Sequence, residues 1–332
     1  TTTIRVAADA TALAKCSTFT GDVRVSADVT GDLALDGLEV LTGSLSLSSI
    51  AGLTSISAKS LQNITGFMYL QNLPLLASAE FPELTSIGDQ MRLEALPKLS
   101  RLGLQSVVSH CPLFTVSGTA LRSIQGIDPA GTTNGFNVTN NKKLQVLDMS
   151  VTATTGSKKS SIVIGENAPG LIVSLPNLAS AQHIDIQNLT KIDLPSLSNA
   201  YEVLLRGNLF QSISIPLLKS VGNDTEPPFG IMVTDSPELH DINFPALTRV
   251  GGITTVNNTQ LKALMLERLQ DARSGLVLDG NFTTISVPAL QNAAMVTIMN
   301  SSTALDCSSF QAMKSRNIIK GQLTCNSSST AS

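Results

Sequence analysis

Two stretches of this chain begin alike. Residues 81–103 read FPELTSIGDQMRLEALPKLSRLG and residues 244–266 read FPALTRVGGITTVNNTQLKALML. Their starts lie 163 residues apart (244 minus 81), close to a multiple of 23. Short strand-like triplets fill the interval and extend beyond it: Val23-Arg24-Val25, Leu45-Ser46-Leu47, Met68-Tyr69-Leu70, Met91-Arg92-Leu93, Phe114-Thr115-Val116 and Phe136-Asn137-Val138, continuing to Val296-Thr297-Ile298. A period in the twenties is the mark of a solenoid and excludes an ordinary globular α/β domain.

Each period has further parts. Leu-rich segments such as Leu53-Thr54-Ser55-Ile56 and Leu239-His240-Asp241-Ile242 follow the first triplet. Pro-bearing segments such as Phe81-Pro82-Glu83-Leu84, Leu175-Pro176-Asn177-Leu178 and Phe244-Pro245-Ala246-Leu247 come next. Proline removes a backbone donor and cannot sit inside a regular helix, so it marks a corner between short extended pieces. The pattern predicts an all-β chain of about fourteen coils, each of roughly 20–24 residues with three short segments and three corners. Stacked in parallel, such coils form a right-handed parallel β-helix or a leucine-rich-repeat-like solenoid. Long helical segments are missing, which favours the β-helix. Open ends of a stack need covers. Residues 1–20 are expected to form the N-terminal cap, 21–306 the solenoid, 307–326 the C-terminal cap and 327–332 the start of a Ser-rich linker.

An Asn column is expected just after the first strand of a coil, at Asn72, Asn141, Asn167, Asn188, Asn208, Asn258, Asn281 and Asn300. Asn tolerates turn conformations, and its amide can bond the backbone of the next coil to form a ladder.

The four cysteines are Cys16, Cys111, Cys307 and Cys325. A Cys307–Cys325 disulfide would hold a frayable end. Cys16 and Cys111 are several coils apart, too far for a bridge unless the N-terminal segment runs along the stack. Otherwise the partner of Cys16 lies outside these residues and Cys111 is a buried small hydrophobe. Sequons occur at Asn63, Asn137, Asn188, Asn223, Asn257, Asn281, Asn300 and Asn326. Asn188, Asn281 and Asn300 also fall in the expected inward ladder, so Asn63, Asn137, Asn223, Asn257 and Asn326 are the better glycan acceptors. Sequons and a cap disulfide both fit an oxidising secretory route. The opening TTTIRV, without a Met or a signal-peptide pattern, and the small polar ending TCNSSSTAS fit a trimmed ectodomain.

The net charge of −3 and the low charged fraction of 14% do not suggest nucleic-acid binding, which calls for a basic face. No Cys/His cluster has zinc spacing, and Gly37, Gly43, Gly66 and Gly88 read as corners rather than a phosphate-binding loop. No cofactor is therefore expected. Many parallel β-helices cleave polysaccharides with two or three converging carboxylates. The outward middle positions here never place two carboxylates in neighbouring coils. Asp185 stands alone, His183 shares its face, and His110 and His240 lie far off. An exposed apolar patch around Tyr69, Leu204 and Met232 would instead suit a protein ligand. Segments 156–160 and 224–228 read as solvated insertion loops.

Three blocks resemble one family. They are Cys16-Ser17-Thr18-Phe19-Thr20-Gly21-Asp22-Val23, the run from Leu35-Asp36-Gly37-Leu38 to Leu41-Thr42-Gly43, and Asp306-Cys307-Ser308-Ser309-Phe310 with Lys320-Gly321-Gln322-Leu323-Thr324-Cys325. They look like the fungal GPI-anchored cell-wall organisation proteins, relatives of the extracellular-mutant and sporulation-specific wall proteins. Those proteins carry repeats akin to receptor L domains. The resemblance implies a secreted, N-glycosylated, non-enzymatic protein of the cell wall and outer plasma-membrane face. It also implies support of wall integrity, with wall polysaccharide or wall glycoprotein as partner. Membrane attachment through a GPI anchor is likewise implied by resemblance alone, because the Ser-rich spacer and hydrophobic tail are not among these residues. It carries over no catalytic residue.

Overall fold

The structure, a computed structural model, describes residues 1–128, 132–154, 161–222, 230–300, 302 and 304–327. The segments 156–160 and 224–228, the sequon at Asn223 and residues 328–332 of the expected linker lie outside the described residues. The chain is a parallel β-solenoid of about thirteen turns with two short helices. It divides into two compact units, Thr1–Ser174 and Leu175–Ser332.

In the first unit the principal sheet is built from one strand per turn. Strands Val23–Val25, Leu45–Ser48, Met68–Gln71, Gln90–Leu96, Leu113–Thr119, Gly135–Thr139 and Ser161–Gly165 follow one another in chain order. Each pairs in parallel with the next, so that Met68, Met91, Phe114, Phe136 and Ile162 fall in one column. That column and its companion Leu70, Leu93, Val116, Val138 and Ile164 are buried. Alternation of the pleat turns the residues between them outward. Like side chains stack on like: the rings of Phe114 and Phe136 lie 5.0 Å apart and nearly parallel. Two smaller sheets complete the turn. One joins Thr30–Ala34, Gly52–Ser57, Ser78–Glu80 and Arg101–Gly103; the other joins Thr18–Thr20, Val40–Thr42, Asn63–Ile64 and Ser86–Ile87.

The second unit repeats the plan. Ser180–Gln187, Asn199–Arg206, Ile231–Thr234, Arg249–Val256, Asp271–Gly280, Val296–Asn300 and Leu323–Ser327 form its principal sheet. Longer strands here round a corner. Asn199–Arg206 pairs first with Ser220–Val221 and then with Ile231–Thr234.

The Pro-bearing segments are tight turns. The Leu84 N–H donates to the Phe81 carbonyl at 3.2 Å, and Leu247 does the same to Phe244 at 3.1 Å. Pro82 and Pro245 occupy the second position of these turns, where their fixed φ is an advantage and no donor is lost. Glycine marks the corner leading into the principal sheet. A Cβ at Gly88 would sit 2.1 Å from the Thr65 carbonyl oxygen of the preceding turn.

The ends differ from the sequence-based division. Strand Thr2–Ile4 already pairs with Val23–Val25, so stacking starts before residue 21 and only helix Ala7–Leu13 covers the end. Asp9 accepts the backbone N–H of Arg5 and Val6 at the start of that helix. At the other end, helix Ser308–Ser315 precedes strand Leu323–Ser327, which pairs with Val296–Asn300. Cys307 and Cys325 are joined in a disulfide across this segment. Cys16 and Cys111 are free thiols, Cys16 exposed and Cys111 buried.

Candidate functional site

The Asn column of the sequence is two columns, one residue apart. In the inward one, Asn141 and Asn167 of the first unit are buried. Asn141 donates to the Val116 carbonyl at 2.8 Å and accepts from the N–H and hydroxyl of Thr119 at 3.1 and 2.7 Å. Asn167 accepts from the Asn141 backbone and donates to the Val138 carbonyl. In the second unit Asn208, Ser236 and Asn258 make the equivalent chain. Asn281 does not join it: it follows strand Asp271–Gly280 half-buried, and Phe282 takes the buried place beyond it. Where a turn has no polar residue the column holds Leu73, Leu96 or Leu189, all buried.

Asn72 and Asn188 belong to the other column. They have φ of 53° and 58° and are exposed. The left-handed conformation recurs at Ser49, Ala95, Asn140, Glu166, Asp235 and Asn257. Asn300 ends strand Val296–Asn300 and pairs in register with Gly280. Asn tolerates the left-handed conformation better than other L-residues, while at the inward position its amide bonds the backbone, so Asn recurs at both positions and they merge on reading the sequence. The correction removes the reason for ranking Asn188 low as a glycan acceptor. Asn137, ranked high, lies within strand Gly135–Thr139 with its Oδ1 buried.

The outward face of the first unit's principal sheet gathers rings and planar polar groups on two adjacent strands. The rings of Phe67 and Tyr69 stack at 4.1 Å, and the Arg92 guanidinium lies 5.2 Å from the Tyr69 ring centre. The Tyr69 hydroxyl donates to Gln90 Oε1 at 3.1 Å, and Gln71 Nε2 donates to Glu94 Oε2 at 2.6 Å. Thr115 and Asn137 continue the Arg92 column on the next strands.

On the second unit, register brings His183 beside Glu202 and Asp185 beside Leu204. His183 Nδ1 lies 3.0 Å from Glu202 Oε2, and Arg206 forms an ion pair with Asp185, which also accepts from Gln187 Nε2. The His183 ring meets Tyr201 edge to face. The two carboxylates are therefore neighbours, yet each is engaged by a base of its own. Glu202 and Arg206 were missed in the sequence because they flank the triplet Val203-Leu204-Leu205, whose middle position alone was compared with Asp185. Beyond Glu202 the outward positions turn to Gly230, Gly252 and Gly275, flanked by Leu204 and Met232, and leave a groove of about 250 Å³. Leu204 and Met232 are register partners. Tyr69, grouped with them in the sequence reading, belongs to the first unit and has its own neighbours.

Among the described residues no three His, Cys, Asp or Glu side chains group to hold a metal ion. No helix there is long and apolar enough to cross a membrane. Burial pushes the Cys111 thiol up to about 12. Asp32 is held below the usual carboxylate range by the hydroxyls of Ser55 and then Thr54, and Asp306 by the hydroxyl and then the N–H of Ser308.

No family model matches the chain. Among curated proteins, a cell surface GPI-anchored protein of Arthroderma benhamiae is 32% identical over 327 residues, covering 97% of this chain and 81% of the relative. Protein ecm33 of Aspergillus fumigatus is 28% identical, covering 98% and 79%. Sporulation-specific protein 2 of Saccharomyces cerevisiae is 29% identical over 64% of this chain and 41% of its own. A repeating parallel β-solenoid closed by a disulfide, with this likeness along nearly its whole length, defines a fungal cell-surface protein. The chain belongs to the fungal family of Ecm33 and sporulation-specific cell-wall proteins.

Proposed function

We propose that this protein is a non-enzymatic, GPI-anchored glycoprotein that maintains the organisation and integrity of the fungal wall by binding wall polysaccharide on the outward face of its principal sheet. Anchoring is stated in the names of relatives from Arthroderma benhamiae and Candida albicans. The observation that carries the binding role is the exposed face of the first unit, where Phe67, Tyr69, Arg92 and Glu94 lie on adjacent strands among hydroxyl and amide side chains. A broad polar face with a few rings suits an extended polymer better than a small molecule, which requires an enclosed pocket.

Cleavage is disfavoured because Asp185 and Glu202 are engaged by Arg206 and His183 rather than facing each other across a free gap. A receptor-like role with a protein ligand is the second reading. It rests on the groove flanked by Leu204 and Met232, the latter 39% exposed.

The experiment is a pull-down of the purified chain on insoluble glucan, chitin and mannan, with analysis of the supernatant for released sugars. Retention without release is expected. Released oligosaccharides would overturn the non-enzymatic role, and absence of retention on every polymer would overturn polysaccharide binding and leave the protein-ligand reading.

A further inference from the structure

We infer that the face centred on Arg92 is a binding site for an uncharged hexose polymer, laid across the strands of the first unit with one sugar ring per turn; this rests on the polysaccharide-binding reading above and assigns it a place.

Arg92 is the starting point. Among the described residues its guanidinium has no hydrogen-bond acceptor, and its Nε is buried without a partner. The guanidinium lies against the Tyr69 ring. A guanidinium offers five donors in a rigid plane, and a buried donor left unmade is costly. The side chain is thus held in place by a ring while its hydrogen-bonding capacity stays unspent. A ligand rich in acceptors would use the terminal Nη donors, the Nε being out of its reach.

The surroundings select the kind of ligand. The strand Gln90–Leu96 carries one guanidinium and one carboxylate, Arg92 and Glu94, two residues apart on the same face. Their charges cancel, and Glu94 repels an anionic chain. Glu94 offers acceptor oxygens, while Arg92 and the second N–H of the Gln71 amide offer donors; Gln90, bonded to Tyr69, and Thr115 are buried. Hydroxyl groups both donate and accept, so a sugar ring matches this mixture where a phosphate or a carboxylate matches only Arg92. Phe67 and Tyr69, both half-buried, add an apolar surface for the C–H face of a ring.

The sheet also sets a direction. Neighbouring strands are about 4.8 Å apart, comparable to one hexose along an extended chain. Tyr69, Arg92, Thr115 and Asn137 stand in one row across four strands. A polymer running along this row crosses one strand per sugar, meeting the half-buried Tyr69, Arg92 and Asn137 and passing over the buried Thr115. A ligand running along a strand would meet only its two or three outward residues.

Tyr69 makes the test direct, because the chain has no Trp and only two Tyr. In Tyr201→Phe, Tyr69 is the sole strong intrinsic fluorophore. Hexamers of β-1,3-linked glucose, β-1,4-linked N-acetylglucosamine and α-1,6-linked mannose are titrated into this variant, with a galacturonate hexamer as the charged comparator. The expected result is saturable change of the Tyr69 emission with at least one neutral hexamer and not with galacturonate. Affinity by calorimetry should then fall roughly tenfold or more in Arg92→Ala, a loss matching one hydrogen-bonded charge. Arg92→Lys keeps the charge, loses the planar fork, and should also weaken binding. Met232→Lys, on the second unit, should bind as the parent does. Thermal melting checks that each variant folds, and Arg92→Lys decides the matter if Arg92→Ala does not.

Neutral hexamers that bind the parent and both Arg92 variants equally would overturn this site while leaving polysaccharide binding intact. Binding of galacturonate alone would overturn the choice of an uncharged ligand. A parent that binds no hexamer and is retained on no polymer would overturn the broader reading as well.

Discussion

The Asn141 amide donates to the Val116 carbonyl at 2.8 Å across 25 residues of chain, and Asn258 repeats the contact to Val233 at the same separation. One side chain thus ties its own turn to the end of the strand in the turn before. Asn141→Leu tests what that tie contributes. Leu96 shows that the column accepts leucine sterically. The substitution nonetheless strands the Val116 carbonyl and both donors of Thr119, at a cost of roughly 3 kcal/mol or more. Urea unfolding should show the loss, and amide exchange should show it locally at Thr119. Adding Asn167→Leu should cost less than its effect alone, since the two share one network.

The solenoid was legible because its cause is local and repeated. The alternation in Met91-Arg92-Leu93 fixes which residues face inward, and Pro82 fixes a corner, so the period alone gives sheets, turns and core columns. What escaped depends on one-residue offsets and on register. Asn72 and Asn141 look alike in the sequence, yet one takes a left-handed outward position and the other an inward ladder position a residue later. The pairing of His183 with Glu202 was hidden for another reason. Aligning Ile184-Asp185-Ile186 with Val203-Leu204-Leu205 does set His183 against Glu202, but that pair lies one place before the triplets, outside the middle positions compared for carboxylates. Arg92 and Tyr69 were each legible as outward residues, but their contact required the register that sets Arg92 beside Tyr69.

Ala95 should gain from replacement by glycine. It is exposed at φ 54°, in a column where the next turn already has Gly118. An L-residue in this conformation costs about 1–2 kcal/mol, and glycine returns part of that as chain entropy in the unfolded state. Ala95→Gly is expected to stabilise by roughly 0.5–1 kcal/mol. Ala95→Val, β-branched, should destabilise. Melting temperatures of the two variants moving in opposite directions would bear this out, and equal shifts would contradict it.

Cys111 should make the fold sensitive to high pH. Burial raises its thiol from 9.0 to about 12, so the native state holds its proton where the unfolded chain has lost it. The native state therefore binds more protons between about pH 9 and 12, and stability falls with rising pH across that window. Below pH 9 the contribution is fully present. Urea midpoints measured from pH 8 to 10.5 should decline, and Cys111→Ala should flatten the part of the slope that this thiol causes. In the native protein at pH 8 a thiol reagent should modify the exposed Cys16 at once and reach Cys111 only on unfolding.

Glycan occupancy should follow backbone position rather than the order expected from the sequence. Asn188 is exposed at a corner, with Thr190 of its sequon exposed as well. Asn326 is exposed near the C-terminal end. Asn137 lies mid-strand between Thr115 and Val163, and its Oδ1 is buried. An acceptor amide must leave its surroundings to be modified, and a mid-strand amide packed on both sides is least free to do so. Peptide mass spectrometry after enzymatic deglycosylation in heavy-oxygen water should find Asn188 and Asn326 occupied and Asn137 unmodified. The outcome bears on function, because Asn137 stands in the same row as Arg92. A glycan there would cover the face on which a wall polymer is proposed to lie, whereas glycans at Asn188 and Asn326 occupy a corner and an end. Full occupancy of Asn137 would therefore count against both the structural argument and the assignment of that face.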